Sequence, residues 1–191
     1  MRPIRYLLLA ALLGGGCKPA AGPELAKTPP PIAVEAPKPT APAVAPLTAE
    51  GWGLIKVGSR EPDAMKTGVL IGTAPPHDED WIACHELKVT GQPDLYVMVE
   101  EEELTRLTIT GASKLLTDKG LGLGATADQV KAAYGRAIKV APHKYEAAPA
   151  GYLTACDAKT ERGVRYETND KGLVSAIHVG AGSIELVEGC S

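Results

Sequence analysis

The sequence predicts an α+β fold built from two tandem units, each a short helix followed by an antiparallel β-meander. Three observations lead there. A Gly-bounded apolar stretch occurs twice, as Gly53-Leu54-Ile55-Lys56-Val57-Gly58-Ser59 and as Gly120-Leu121-Gly122-Leu123-Gly124-Ala125-Thr126. Each copy runs into residues that can start a helix. Each is then followed by alternating apolar sequence broken by turn residues. The globular region is expected over 51–191, with units over about 51–112 and 113–191. One short helix and a small meander cannot bury a sheet face alone, so two copies are expected to cover each other.

In the first unit Ser59 is placed to cap a helical turn holding Glu61, Asp63, Ala64 and Met65, with Pro62 tolerated in the first turn and Gly68 as the stop. Trp81 to Val89 reads as a strand. Leu95, Val97 and Val99 alternate, Glu100 to Glu103 interrupt as a solvated hairpin turn, and Leu104, Leu107 and Ile109 continue. In the second unit Thr126 and Gln129 have capping-box spacing, Val130, Ala133 and Tyr134 share a face, and Gly135 supplies a left-handed stop. A helix over 127–134 follows. Val164 and Tyr166 lead through Asn169-Asp170-Lys171-Gly172 to Val174, Ile177 and Val179, a second hairpin, and Ile184 to Val187 reads as a last strand. The chain has no Phe, so the core must rest on Val, Leu, Ile and Ala.

Upstream, Arg2 and Arg5 precede Leu7 to Leu13, an apolar run long enough for an export signal and too short to span a bilayer. Gly14, Gly15 and Gly16 then lead to Cys17. The run resembles the bacterial lipobox, although Leu13 stands one place further upstream than in that pattern. The resemblance implies a signal peptide over 1–16 and diacylglyceryl transfer to Cys17, which would anchor the mature chain to a lipid bilayer. By the sorting rule of enterobacterial lipoproteins, Lys18 suits the outer membrane, facing the periplasm or the cell surface. Residues 18–50 hold 9 Pro and 9 Ala, so 17–50 is expected to be a lipidated Cys plus a disordered tether in polyproline II and coil.

The arrangement of the globular part resembles the β-lactamase inhibitor protein fold. It also resembles the small outer-membrane assembly lipoprotein BamE, whose helix opens with a pattern like Gly124-Ala125-Thr126-Ala127-Asp128-Gln129-Val130 and ends like Tyr134-Gly135. Pro142-His143-Lys144-Tyr145, Gly151-Tyr152-Leu153-Thr154 and Glu188-Gly189-Cys190 resemble exported bacterial proteins of unknown function. These resemblances imply a non-enzymatic binding domain, presented to an envelope protein or cell-wall partner. An enzyme inhibitor on the same scaffold is the alternative, with Trp81, Tyr96 and Tyr166 as aromatic anchors. With Cys17 acylated and the compartment oxidising, two of Cys84, Cys156 and Cys190 should pair. The resemblance implies Cys84 with Cys190, and Cys156 with Cys190 is the fallback.

Charge argues against nucleic acid: residues 51–191 carry 15 basic against 20 acidic residues. No catalytic residue is expected, because no Gly-x-Ser-x-Gly or Ser-x-x-Lys signature is present. Gly120-x-Gly122-x-Gly124 lacks the lysine of a phosphate-binding loop. Cys84-His85 near His77-Asp78-Glu79-Asp80 invites a metal reading, but adjacent strand residues point to opposite faces, so neither a metal nor any other cofactor is expected. His143, in a loop, and His178, outward between inward Ile177 and Val179, read as surface histidines.

Overall fold

The computed structural model describes residues 44–72 and 83–190. A first small hairpin pairs β1 (Gly51–Trp52) with β2 (Ile55–Lys56), and α1 (Glu61–Met65) is a single turn. The remaining strands are β3 (Leu70–Ile71), β4 (Cys84–Val89), β5 (Gln92–Glu100), β6 (Glu103–Ile109), β7 (Lys139–Pro142), β8 (Gly151–Asp157), β9 (Arg162–Thr168) and β10 (Val174–Gly180). Helix α2 (Ala127–Tyr134) lies between β6 and β7.

All eight later strands form one antiparallel sheet, in the order β3-β4-β5-β6-β10-β9-β8-β7. Local signals make its hairpins. Glu101 and Glu102 take positive φ in the two-residue turn between β5 and β6, so the four glutamates do close a hairpin. Between β9 and β10 the Asn169 side chain accepts from the amides of Lys171 and Leu173, and Gly172 supplies φ +69°. The non-local step is β6 against β10, which pairs Ile109 with Ile177 and Leu107 with Val179. One face carries Leu95, Val97 and Val99 of β5, Leu104, Leu107 and Ile109 of β6, Val164 and Tyr166 of β9, and Ile177 and Val179 of β10 into the core. Leu104 and Leu107 can both point inward, although three residues apart, because the β5–β6 register slips between Met98 and Val99 and leaves an extra residue on β6.

Helix α2 covers part of that face through the buried Val130. Its N-terminus carries the full capping box: Thr126 Oγ1 accepts from the Gln129 amide, and Gln129 Oε1 accepts from the Thr126 amide. Gly135 closes it at φ +54°.

The expected pair of helix-plus-meander units is not what forms. The sheet is continuous, and only one helix longer than a turn is present among the described residues. Ser59 does not cap α1; Arg60 stands at its N-cap without a side-chain bond, and only Ala64 of the turn is buried. A five-residue turn has too little apolar surface to cover a sheet, so each meander is completed by edge pairing instead of by a helix of its own. The two Gly-bounded stretches also diverge, the first forming the β1–β2 turn and the second running as coil bonded to Val174.

The folded part starts earlier than residue 51: Leu47 is fully buried and bonded to Leu116 and Asp118. Ile184 to Val187 is no strand either. Gly182–Glu185 forms a 3-10 turn that lies on β6, β9 and β10.

Candidate functional site

The outward face of the sheet carries the chemistry. Register places Lys88, Tyr96, Thr108, His178, Arg165, Thr154 and Lys139 side by side across seven strands. Glu86, Met98 and Arg106 form a row on one side, and Glu167 and Tyr152 a row on the other. Such alternation normally faces water. Glu86, Lys88 and Lys139 at its ends do, but over its middle residues 181–190 fold back as a strap.

The strap is held from below by two arginines. Arg106 Nη1 donates to the carbonyls of Ser183 (3.1 Å) and Leu186 (3.0 Å), and Arg165 Nη1 donates to that of Glu185 (2.7 Å). The Glu185 and Leu186 carbonyls lie at the C-terminal end of the 3-10 turn, where a cation is favoured. Ile184 is buried with 1% exposure, and Lys144 Nζ reaches Glu188 Oε1 at 3.3 Å. At the far end Cys190 is bridged to Cys84 of β4. The disulfide is thus Cys84–Cys190, and Cys156 is free and exposed.

The arginines are costly to bury. The Arg106 side chain is 4% exposed and sits 3.6 Å from Glu86, and no Nε partner exists for Arg106 or Arg165 among the described residues. Burial lowers the Arg106 guanidinium below its ordinary value, with Glu86 opposing. Arg165 recovers some energy by lying 3.7 Å over the Tyr152 ring.

Beside them Glu167 joins two histidines. His143 Nε2 is 3.1 Å from Oε1, and His178 Nε2 is 3.6 Å from Oε2. His143 Nδ1 accepts from the amides of Tyr145 and Glu146, and its ring stacks on Tyr152 at 4.8 Å. His178 Nδ1 meets Thr108 Oγ1 at 2.9 Å. His143, whose Nδ1 accepts two amides, therefore turns Nε2–H toward the carboxylate. Contact with His178, opposed by burial and joined by the His143 bond, holds the Glu167 carboxyl below its ordinary range. Burial pushes His178 below its ordinary value, against the pull of Glu167.

The cluster ties the loop after β7 to β9 and β10. It does not form a metal site, since both rings aim at Glu167 and not at a common point. No group of three candidate ligands converges among the described residues.

Several sequence expectations change at these positions. His143 and His178 are not surface histidines: the loop and strap bury them, leaving side-chain exposures of 6% and 11%. His85 points into the opposite face, where it pairs with Glu61 at 3.2 Å, as the alternation of Cys84 and His85 required. Of the three aromatic anchors, Trp81 lies outside the described residues, as do His77 and Cys17. Tyr96 is half-buried on the outward face. Tyr166 is fully buried in the core and offers no surface to a partner. Arg106, Arg165, Glu167 and Tyr152 were missed; their signal was a run of outward strand positions rich in side chains able to bond one another.

No protein-family model, curated protein or solved structure matches this chain.

Proposed function

We propose that this protein is an exported, lipid-anchored binding module of a bacterial envelope, held to the membrane through acylated Cys17 and working without catalysis. The Cys84–Cys190 disulfide carries the reading. A bridge that fastens the strap over buried arginines suits an oxidising compartment, the destination that an export signal and a lipobox-like Cys17 imply. It pairs two of the three cysteines that remain once Cys17 is acylated. The locked polar cluster supports the non-catalytic part, since its titratable groups are spent on holding the fold.

Mass spectrometry of the mature protein tests it. The N-terminal peptide is expected to begin at Cys17 and to carry diacylglyceryl mass, and a Cys17→Ser variant is expected in the soluble fraction. An unmodified N-terminus elsewhere, or a variant that still sediments with membranes, overturns the reading.

A further inference from the structure

Strand β7 is an edge of the eight-stranded sheet, and all four of its residues are exposed. Val140 keeps 61% of its surface, although its cross-strand partner Leu153, on the same face, is fully buried. Helix α2 packs against β8 and leaves Val140 uncovered.

Hydrogen bonding along β7 fixes what this edge offers. The His143 amide donates to the Ala150 carbonyl at 3.4 Å, in line with a register that pairs Ala141 with Tyr152 and Lys139 with Thr154. Antiparallel bonds alternate along a strand, so Lys139, Ala141 and His143 bond inward to β8. Val140 therefore turns both its N–H and its C=O to the outside, and Pro142 presents a carbonyl without a donor. Such unpaired edge groups are a template for another strand. Beside them, on the face of Val140, lies a groove of about 320 Å³ walled by the exposed Pro142, Ala148 and Pro149 and by Ala127 and Lys131 of α2.

Charge selects the occupant. Residues 129–144 hold Lys131, Arg136, Lys139 and Lys144 and no Asp or Glu, in a chain whose net charge is −3. Lys131 is paired with Asp128 and Lys144 with Glu188. Arg136 and Lys139 are exposed and make no hydrogen bond or ion pair among the described residues. Two copies pairing edge to edge would set these cations against each other, whereas an acidic strand would match them.

We propose that β7 takes an extended acidic segment of a partner protein as an added strand, with acidic residues on the face of Lys139 and an apolar residue beside Val140. The main-chain groups of Val140 and the Pro142 carbonyl bond the incoming strand, Arg136 and Lys139 meet its carboxylates, and its apolar side chain falls at the mouth of the groove. This rests on the reading of the domain as a binding module. The test below needs no acyl group, so it can fail while lipidation of Cys17 stands.

Fluorescence anisotropy of the full-length protein with labelled Glu-Val-Glu-Val-Glu-Val-Glu tests the proposal. Saturable binding is expected below about 1 mM, and the counterpart with Lys in place of Glu should bind at least about tenfold more weakly. The acidic peptide N-methylated at its valines, which keeps the charge and loses the main-chain donors, should also bind at least about tenfold more weakly. Val140→Pro removes the outward donor and no bond to β8, and Arg136→Gln with Lys139→Gln removes the charge; each should weaken binding by about tenfold with an unchanged circular-dichroism spectrum. The Val140 amide should exchange with solvent more slowly when peptide is bound. The proposal fails if the peptide does not saturate, if either altered peptide binds as well, or if Val140→Pro leaves affinity unchanged. It fails equally if sedimentation shows a dimer that Val140→Pro abolishes, which gives the edge to a second copy, or if deleting 18–43 raises affinity about tenfold, which gives it to the chain's own tether.

Discussion

Replacing Cys84 and Cys190 together by Ser opens a loop of 106 residues. Chain-entropy arithmetic assigns about 4.7 kcal/mol to a cross-link closing roughly 100 residues. That is a large part of the 5–15 kcal/mol by which domains of this size are typically stable. The native state, however, keeps its other fastenings: the strap retains four arginine–carbonyl bonds, the buried Ile184 and the Lys144–Glu188 pair. The loss should therefore fall on the unfolded ensemble, which becomes free to expand. Urea denaturation followed by circular dichroism should show an unchanged native spectrum. The stability drop should approach 4.7 kcal/mol, with a melting temperature lower by roughly 9–19 °C for a domain of this length. The m-value should rise, because an uncross-linked chain exposes more surface on unfolding. A loss below about 1 kcal/mol, or an altered native spectrum, would refute the assignment of the effect to the unfolded chain.

Acid should weaken the fold in two stages. His178 is held neutral in the native state and protonates more readily unfolded, so stability should fall as pH drops below its ordinary value of 6.5. Glu167 should remove more as pH falls from its ordinary 4.5 through its lowered native value, and denaturation curves across pH check both signs. Tyr166→Phe deletes the donor to Thr117 and the acceptor for Tyr134 in a buried setting, and should cost about 1–3 kcal/mol by urea denaturation. Thr126→Ala removes one arm of the capping box and should cost about 1 kcal/mol in the same assay, with no change in the sheet.

Features fixed by neighbouring residues were legible in the sequence. The capping box of α2 depends on Thr126 and Gln129 alone, and the turn before β10 on Asn169 and Gly172. The inward alternation of Leu95, Val97 and Val99 needs only a strand with one buried face. Pairings between distant segments were not legible. Nothing local to Ile109 or Ile177 says that they meet, and it is their strand pairing that merges two meanders into one sheet. The likeness of residues 53–59 to 120–126 misled for the same reason: Gly53 turns a hairpin while Gly124 bonds to Val174 of a later strand. The polar cluster was hidden more deeply still. Arg106, Arg165 and His178 occupy positions whose parity is that of a solvated face, and only the fold-back of the strap turns them into buried groups.

That fold-back follows from the mismatch between the sheet and its cover. Eight strands have two large faces, and a single eight-residue helix with the flanking coil covers one of them. Closing the other with an irregular strap requires ordering about ten residues, at roughly 1–2 kcal/mol each for the backbone alone. Apolar contact repays little of this, since Leu186 remains 44% exposed and Ile184 is the one strap residue fully withdrawn from solvent. The arginine–carbonyl bonds repay more, being charge-assisted, but they carry the desolvation of two guanidinium groups. The disulfide acts on the other side of the balance: by tying Cys190 to Cys84 it removes much of the freedom that the unfolded strap would regain. A reducing environment would take that term away and leave buried arginines beneath a loosened cover. The outer face is therefore the part of this fold most sensitive to where the protein is placed.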